Sequence, residues 1–257
     1  MSLPINQIIC GDCLKVMQDF LDNSIDHIIA DLPFFQVSNA SWDNLWKTEQ
    51  EYLDWILCLV KQYKRILKEN SNLFIFTSRQ NNRKIATILD SYFIEKRIIV
   101  WARKRNFNQS RGLALASGYE PICYYSNSSQ GVFHNLKIKP KTTRKEYLTG
   151  SLKDGITLSD VWTDISALPH NSKEKVLHPT QKPITLIERL VLLGTNENDI
   201  ILDNCIGSGT TAVAAIKLNR NYIGIDISQE YCDLAQKRIK DELVQENMFR
   251  NVDYLTK

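Results

Sequence analysis

The stretch ILDNCIGSGTT, residues 201–211, reads as the end of a buried strand, a turn with two glycines and the first turn of a helix. Glycine lets the backbone approach a ligand closely, and free N–H groups at a helix N-terminus favour a carboxylate or phosphate. The next apolar strand ends in Asp226, about 20 residues after Gly207, where an adenosine-binding fold places the acid that holds the ribose hydroxyls. The stretch predicts an adenosine-containing cofactor. The alternative is a turn that only packs a helix against a strand.

Two other nucleotide classes are disfavoured, because the stretch has neither the third glycine of a dinucleotide site nor a Walker lysine. Around it, strands alternate with helices, which predicts a mostly parallel sheet covered by helices on both faces. The apolar pattern predicts strands at 5–10, 25–30, 72–76, 94–101, 121–125, 200–202 and 222–225. It predicts helices at 14–21, around 53–67, at 82–89, 183–193 and 209–218, and after a cap at Ser228.

The alternation is interrupted between residues 103 and 177 by polar, basic sequence rich in serine, asparagine and glycine. The interruption divides the chain into residues 1–102, 103–177 and 178–257. Connections of this length are usually functional. The basic side chains there predict a polyanion-binding face, although a solvated loop is the alternative. They are Arg103, Lys104, Arg105, Arg111, Lys137, Lys139, Lys141, Arg144 and Lys145.

The composition favours a cytoplasmic globular protein. The chain has 257 residues, 43% of them hydrophobic, and a net charge of +3. Its six cysteines are scattered, which indicates reduced thiols, and the single pair Cys10 and Cys13 is too small a set for a metal site. No apolar stretch is long enough to span a membrane, and the N-terminus lacks the layout of a signal peptide.

The segment IIADLPFF, residues 28–35, ends a predicted strand with an acid, a proline and aromatic rings. Pro33 fixes its own φ and makes Leu32 extended, so the Asp31 carboxylate and the Leu32 carbonyl can face the same way. Two adjacent acceptors suit an exocyclic NH2 group, and Phe34 offers a face for a planar base. The alternative is a strand end with a capping acid and a buried ring.

Taken together, these motifs resemble the amino-group DNA methyltransferases of the D/S-P-P-Y/F type. DLPF is similar to the catalytic motif, DNCIGSGTT to the cofactor loop D-P-F-x-G-S-G-T-T, and HPTQKP, residues 178–183, to a further signature. GDC at residues 11–13 also has a counterpart. The order of the motifs resembles the β group, which implies a Rossmann-like, circularly permuted fold with a mostly parallel seven-stranded sheet and S-adenosylmethionine as cofactor. It further implies a catalytic half at 1–102, an inserted target-recognition region at 103–177 and a cofactor-binding half at 178–257.

The resemblance implies roles for individual residues. Asp12 would accept a hydrogen bond from the cofactor's adenine, with Cys13 beside it, and Asp226 would hold the ribose. The remaining cofactor-binding residues it implies are Asp31, His178, Thr180, Lys182, Asn204, Gly207, Ser208, Gly209, Thr210 and Thr211. Lys182 as an ordinary helix-start lysine and His178 as a brace of the loop are the alternatives.

Three positions depart from the family pattern. Leu32 replaces a proline but keeps the carbonyl, so we expect activity to survive with looser positioning. Asn204 and Cys205 replace Pro-Phe, which changes packing under the cofactor more than its polar contacts. Asp226 stands where many relatives have glutamate.

The resemblance implies a site-specific enzyme that methylates the N6 amino group of adenine in double-stranded DNA, by base flipping and direct in-line transfer. An aspartate at position 31 resembles the adenine-specific members. N4-cytosine methylation, and less so a catalytically impaired DNA-binding relative, are the alternatives. C5 methylation is disfavoured because the chain has no Pro-Cys dipeptide. A homodimer and a cognate restriction endonuclease are further partners that the resemblance suggests.

Overall fold

The computed structural model describes residues 2–37, 40–103, 118–138, 155–169 and 171–255. Its strands are β1 (Gln7–Cys10), β2 (Ile25–Asp31), β3 (Leu67–Phe76), β4 (Ile94–Ala102), β5 (Tyr119–Ser126), β6 (Lys137–Ile138), β7 (Ile156–Thr157), β8 (Val161–Trp162), β9 (Ile200–Asp203) and β10 (Asn221–Asp226). Its helices are α1 (Cys13–Gln18), α2 (Glu49–Ile66), α3 (Asn82–Asp90), α4 (Ile184–Gly194), α5 (Thr210–Lys217) and α6 (Gln229–Leu255), with a 3-10 turn at Ser41–Asn44.

The main sheet has eight strands in the order β1-β10-β9-β2-β3-β5-β4-β8. All the neighbouring pairs are parallel except those of β5, which runs antiparallel to β3 and β4. The two C-terminal strands, β9 and β10, lie between β1 and β2, as a circularly permuted methyltransferase fold requires. The predicted α/β class and mostly parallel sheet are confirmed. The additional strand beyond the seven expected is β8, a two-residue strand beside β4.

Two apolar layers cover the sheet, one on each face. Successive residues of β3 alternate between them: Leu73 and Ile75 belong to the layer under α1, α2 and α3, whereas Phe74 and Phe76 belong to the layer under α4 and α5. All four side chains are buried. Burial of such a side chain stabilises the fold by about 1.5–3 kcal/mol. The nearly continuous apolar runs of the strands follow from this burial on both faces.

Most predicted elements are present with ends that differ by a few residues. The largest difference is at the junction of α2 and β3, where the helix ends at Ile66 and the strand begins at Leu67 instead of Asn72. The prediction that the helix extends to Leu67 was therefore wrong by one residue. Leu67 is extended, with ψ of 135°, and pairs with Ile25. A buried leucine satisfies the helical spacing and the strand equally well.

The range 103–177 contributes to the main sheet as well as to its own small sheet. β5 and β8 pair with β3 and β4, while β6 and β7 form a separate two-stranded antiparallel sheet. The division of the chain at residues 103 and 177 stays a prediction. Within the described residues, none of the helices is long and apolar enough to cross a membrane.

Candidate active site

The carboxyl ends of four parallel strands, β1, β2, β9 and β10, meet at one edge of the sheet. A cavity of about 510 Å³ opens at that edge. Parallel α/β sheets bind their ligands in this position. The sequence-predicted residues that line it are Gly11, Asp12, Cys13, Asp31, Leu32, Pro33, Phe34, His178, Thr180, Lys182, Asn204, Gly207 and Asp226. A smaller adjoining cavity is lined by Ser208, Thr210 and Thr211.

The glycine turn after β9 requires glycine at two positions. Gly207 and Gly209 have φ of +48° and +80°, in the left-handed region that other residues rarely adopt. A Cβ on Gly207 would lie 2.8 Å from His178 Nε2, and one on Gly209 would lie 2.9 Å from the Cβ of Ala235. Of the predicted cofactor residues, Gly209 alone lines neither cavity, because it packs against α6.

Two acids hold the turn, namely Asp203, which is buried, and Asp226, which is half-buried. Asp226 accepts from the Gly207 N–H through Oδ2, at 2.9 Å, and from the Ser228 N–H through Oδ1, also at 2.9 Å. Asp203 accepts from the Thr211 hydroxyl at 2.6 Å and from the Cys205 N–H at 3.1 Å. Burial raises the pKa of Asp203 to about 7 and also raises the pKa of Asp226. The turn is therefore fixed before any ligand enters.

The segment after β2 is fixed just as tightly. The Tyr52 hydroxyl donates to the Pro33 carbonyl at 2.9 Å, and the Phe34 N–H donates to Asp43 Oδ1 at 2.7 Å. The Leu32 side chain is 4% exposed and belongs to the apolar layer that contains Tyr52. Tyr52 belongs to α2 and Asp43 to the 3-10 turn, so these two elements together hold the backbone of the segment.

The carboxylate of Asp31 has two different environments. Its Oδ2 accepts from Lys182 Nζ at 2.6 Å, whereas its buried Oδ1 has no hydrogen-bond partner among the described residues. The side chain as a whole is 24% exposed. Burial raises the pKa of Asp31 to about 6, in spite of the ammonium beside it. An unpaired, buried acceptor costs free energy unless a donor reaches it, so the site fits a ligand with an N–H group.

Lys182 lies at the centre of this pocket. Besides Asp31, its Nζ contacts Glu120 Oε2 at 3.3 Å, and it stands over the rings of Phe34 and Phe76 at 5.6 and 5.2 Å from their centroids. Burial opposes the charged form, but the two carboxylates outweigh it and the pKa of Lys182 is raised. The sequence assigned Lys182 to the cofactor. That role stays a prediction, because here the ammonium pairs with Asp31.

Comparisons with known proteins agree with this arrangement. The family model described as DNA methylase matches residues 25–237. The chain belongs to the DNA methylase family. It is 30% identical over 270 residues to the type II methyltransferase M.BglII of Bacillus subtilis, an alignment that covers 98% of this chain and 73% of the relative.

Two further relatives support the assignment. The DNA adenine methyltransferase YhdJ of Escherichia coli K12 is 30% identical over 245 residues, covering 90% of this chain and 82% of that protein. A crystal structure of an M1.HpyAVI–SAM complex superposes with a TM-score of 0.66 at 27% identity, covering 91% of this chain and 98% of that one. This DNA methylase is accordingly an S-adenosylmethionine-dependent enzyme that acts on DNA.

The residues of the methylase fit the cofactor of its family. Gly207 lines the cavity and packs so closely against His178 that a side chain would not fit there, and Asp12 lines the same cavity. Asp12 also caps α1, because its Oδ1 accepts from the Leu14 N–H at 2.9 Å. Cys13 is buried beside it, and burial raises the pKa of its thiol to about 11. A neutral thiol and a carboxylate suit a neutral, amino-bearing ring.

An aromatic cluster of Trp42, His178 and Tyr231 lines one wall of the cavity of the methylase. The rings of Trp42 and His178 are stacked 5.9 Å apart, and Tyr231 meets the edges of both. Burial and the nearby cations lower the pKa of His178 to about 4, so the ring is neutral at pH 7. The cluster joins the 3-10 turn, the HPTQKP segment and α6. His178 thus packs within this wall, and its predicted role in cofactor binding stays a prediction.

Of the basic residues predicted to bind DNA, Arg103 and Lys137 lie within the described residues. Lys137 is exposed on β6, and Arg103 Nη1 pairs with Glu120 Oε1 at 2.7 Å. The others lie outside the described residues, namely Lys104, Arg105, Arg111, Lys139, Lys141, Arg144 and Lys145. The DNA-binding surface of the methylase as a whole therefore stays a prediction.

Sequence reasoning missed several residues that shape the site. Asp43 and Tyr52 hold the Asp31–Phe34 backbone, Glu120 contacts Lys182, and Arg238 donates to the Ser208 carbonyl at 2.6 Å. For Glu120 a signal existed, because it is one of the few acids in a strongly basic stretch and directly precedes a predicted strand. For the others the contacts depend on packing that no local pattern shows.

Proposed function

We propose that this DNA methylase is a site-specific methyltransferase that transfers a methyl group to the N6 amino group of adenine in double-stranded DNA. The observation that carries the proposal is the carboxylate of Asp31. Lys182 holds its Oδ2, and its buried Oδ1 has no partner among the described residues. Such an acceptor, at the carboxyl end of a strand and beside the cofactor turn, suits an exocyclic amine.

The chain would hold S-adenosylmethionine along the edge formed by β1, β9 and β10. Asp226 and Asp12 would accept hydrogen bonds from its ribose and adenine, and the N-terminus of α5 would face its carboxylate. The hydroxyls and backbone near that carboxylate would come from Thr180, Gly207, Ser208, Thr210 and Thr211. When bound, the cofactor supplies a methyl group already activated by a positive sulfur, so the protein needs no covalent nucleophile.

The task of the protein is then alignment and polarisation of the target amine. Asp31 Oδ1 and the Leu32 carbonyl would each accept one hydrogen of the amine, which favours a pyramidal nitrogen with an available lone pair. The ion pair with Lys182 fixes the carboxylate, and the contacts of Tyr52 and Asp43 fix the backbone. After transfer, Asp31 is placed to accept the departing proton.

The amine lies inside a duplex, so the target base must leave the stack. Extrusion costs a few kcal/mol, and stacking on an aromatic ring returns about 1–3 kcal/mol. Phe34 is half-buried and lines the cavity next to Asp31, which suits it to this role. The basic residues between 103 and 145 would grip phosphates, which position the duplex but do not specify the sequence.

The test is direct. The purified protein is incubated with mixed-sequence duplex DNA and methyl-labelled S-adenosylmethionine, and the DNA is digested to nucleosides. We expect label in N6-methyladenine, none with Asp31→Ala, and retained cofactor binding in that variant. Label in N4-methylcytosine would overturn the base assignment, since the same two acceptors serve either amine. Turnover by Asp31→Ala would overturn the role of Asp31.

The homodimer and the cognate endonuclease stay predictions from the resemblance, and the cytoplasmic location stays a prediction from the composition. Sedimentation of the protein with and without duplex DNA measures the first of them.

A further inference from the structure

Four charged side chains of alternating sign form a continuous chain beside the cavity. Asp31 Oδ2 lies 2.6 Å from Lys182 Nζ, Lys182 Nζ lies 3.3 Å from Glu120 Oε2, and Glu120 Oε1 lies 2.7 Å from Arg103 Nη1. They come from distant parts of the sequence, namely β2, the segment before α4, β5 and the residue after β4. Their charges sum to zero, so the chain buries no uncompensated charge.

The ammonium of Lys182 is shared between two carboxylates, and the sharing is unequal. It donates to Asp31, whereas its contact with Glu120 is an ion pair whose Oε2 has no hydrogen-bond partner among the described residues. The Lys182 side chain is 7% exposed and lies over two rings, so it has little room to move. Glu120 is 13% exposed and is anchored from its other side by Arg103. Glu120 therefore restrains where the ammonium can sit.

We infer that Glu120 is a positioning residue for Asp31: by holding Lys182 from the far side, it keeps the ammonium on Oδ2 and leaves Oδ1 open to the target amine. This inference rests on the proposed role of Asp31. Without Glu120 the ammonium would be balanced by Asp31 alone and could approach both of its oxygens. The target amine would then compete with Lys182 for its acceptor.

The same arrangement sets the protonation of Asp31. The charged or titratable groups that face it are Lys182 before α4, Glu120 on β5, Asp43 on the 3-10 turn, and Asp203 and Cys205 at the glycine turn. Glu120 raises the pKa of Asp31 and Lys182 lowers it. Loss of the charge of Glu120 therefore lowers the pKa of Asp31. Loss of the charge of Arg103 leaves the negative charge of Glu120 uncompensated and raises the pKa of Asp31.

The test measures single-turnover methyl transfer between pH 5 and 8, with saturating DNA and S-adenosylmethionine. For E120Q we expect the plateau rate to fall roughly 10- to 100-fold, the cost of a small misplacement, with cofactor affinity nearly unchanged. The acid limb of the pH–rate profile should move to lower pH in E120Q, because the pKa of Asp31 falls. In R103M the acid limb should move to higher pH, because the pKa of Asp31 rises. Asp164→Asn is the matched control, because it removes a carboxylate from the arginine pair with Arg189, outside the cavity, and should change neither plateau nor limb.

A double-mutant cycle shows whether Glu120 acts through Lys182. In a K182M background, E120Q should cause no further loss of plateau rate, whereas the acid limb should still move to lower pH, because the charge of Glu120 also acts on Asp31 directly. The inference is overturned by a wild-type plateau in E120Q, or by a loss in E120Q that simply multiplies that of K182M. If E120Q does not fold, R103M, which removes the anchor of Glu120, takes its place in the cycle: its loss of plateau rate should be absent in the K182M background. Turnover by Asp31→Asn, measured alongside, would instead refute the proposed function.

Discussion

Replacement of Asp31 by asparagine should remove activity and yet stabilise the fold. The side chain keeps its size, but it loses the charge that the proposed reaction needs. We expect methyl transfer to fall by about 10²–10⁴-fold or more, the range for loss of an acid–base group. The free energy of unfolding should increase, because the ionised carboxylate of Asp31 is largely removed from water and destabilises the folded state.

The size of that cost follows from the environment of Asp31. Burial raises the pKa of Asp31 from 3.8 to about 6, even with Lys182 at 2.6 Å. A shift of about two units corresponds to roughly 3 kcal/mol, since each unit is worth about 1.4 kcal/mol. The folded state binds the proton more tightly than the unfolded state, so the penalty is complete above about pH 6. It shrinks as the pH falls through the folded pKa and is absent below the unfolded pKa, near pH 4.

The assay is thermal or urea unfolding of wild-type protein and Asp31→Asn at pH 7 and at pH 4.5. At pH 7 the variant should be more stable by up to about 3 kcal/mol, or roughly 5–10 °C in Tm for a chain of this size. The difference should fall to roughly 1 kcal/mol at pH 4.5, where the folded carboxyl is protonated but the unfolded one is still mostly ionised. Asp164→Asn again serves as control, because its carboxylate is paired with Arg189 at the surface and should confer no such pH-dependent gain.

A lower Tm for Asp31→Asn at pH 7 would refute the reasoning. It would mean that the ion pair with Lys182 outweighs the desolvation of the carboxylate. An equal gain at both pH values would also contradict it, since a packing effect does not titrate. Retained turnover would refute the chemical role while leaving the electrostatic argument intact.

The remaining predictions concern the cofactor turn, the backbone anchor and the base. Gly209→Ala should lower Tm and weaken S-adenosylmethionine binding in calorimetry, because φ of +80° costs a non-glycine residue roughly 1–2 kcal/mol and the new Cβ would meet Ala235. Tyr52→Phe removes the bond to the Pro33 carbonyl and should lower kcat up to about tenfold with unchanged cofactor affinity, a loss of about 0.5–1.5 kcal/mol. Phe34→Ala should weaken flipping by about 1–3 kcal/mol, read as reduced fluorescence of 2-aminopurine at the target position. An unchanged Tm and cofactor affinity in Gly209→Ala, an unchanged kcat in Tyr52→Phe or an unchanged fluorescence in Phe34→Ala would each contradict the role given to that residue.

Much of the fold was predictable because strands buried on both faces leave long apolar runs. The strand at 25–30, the glycine turn and the strand that ends at Asp226 all appear where the sequence places them. The start of β3 was not predictable, because Leu67 to Ser71 lack apolar character after the first residue. Pairing of Leu67 with Ile25 decides that strand, and such pairing is a property of the sheet.

The site was predictable to the extent that it is built from contiguous motifs. Asp31, Gly207 and Asp226 each follow a strand in the same parallel sheet, so their proximity follows from the fold. The partnership of Asp31 with Lys182 did not follow, since 151 residues separate them and either could have faced the cofactor. Glu120 was missed for the same reason. Contacts of this kind depend on side-chain packing across β2, β5 and the segment before α4.

The hairpin between β4 and β5 has a consequence for how this enzyme can change. Ala102 pairs with Tyr119, and the Arg103 N–H donates to the Gly118 carbonyl at 2.9 Å, so the two residues that flank 104–117 are joined by a hydrogen-bonded rung. The pairing register below that rung does not depend on the length or composition of the sequence between its two ends. Given the proposed role of residues 103–177 in target recognition, residues 104–117 could be exchanged without a change of that register, so that the reaction centre would be inherited unchanged.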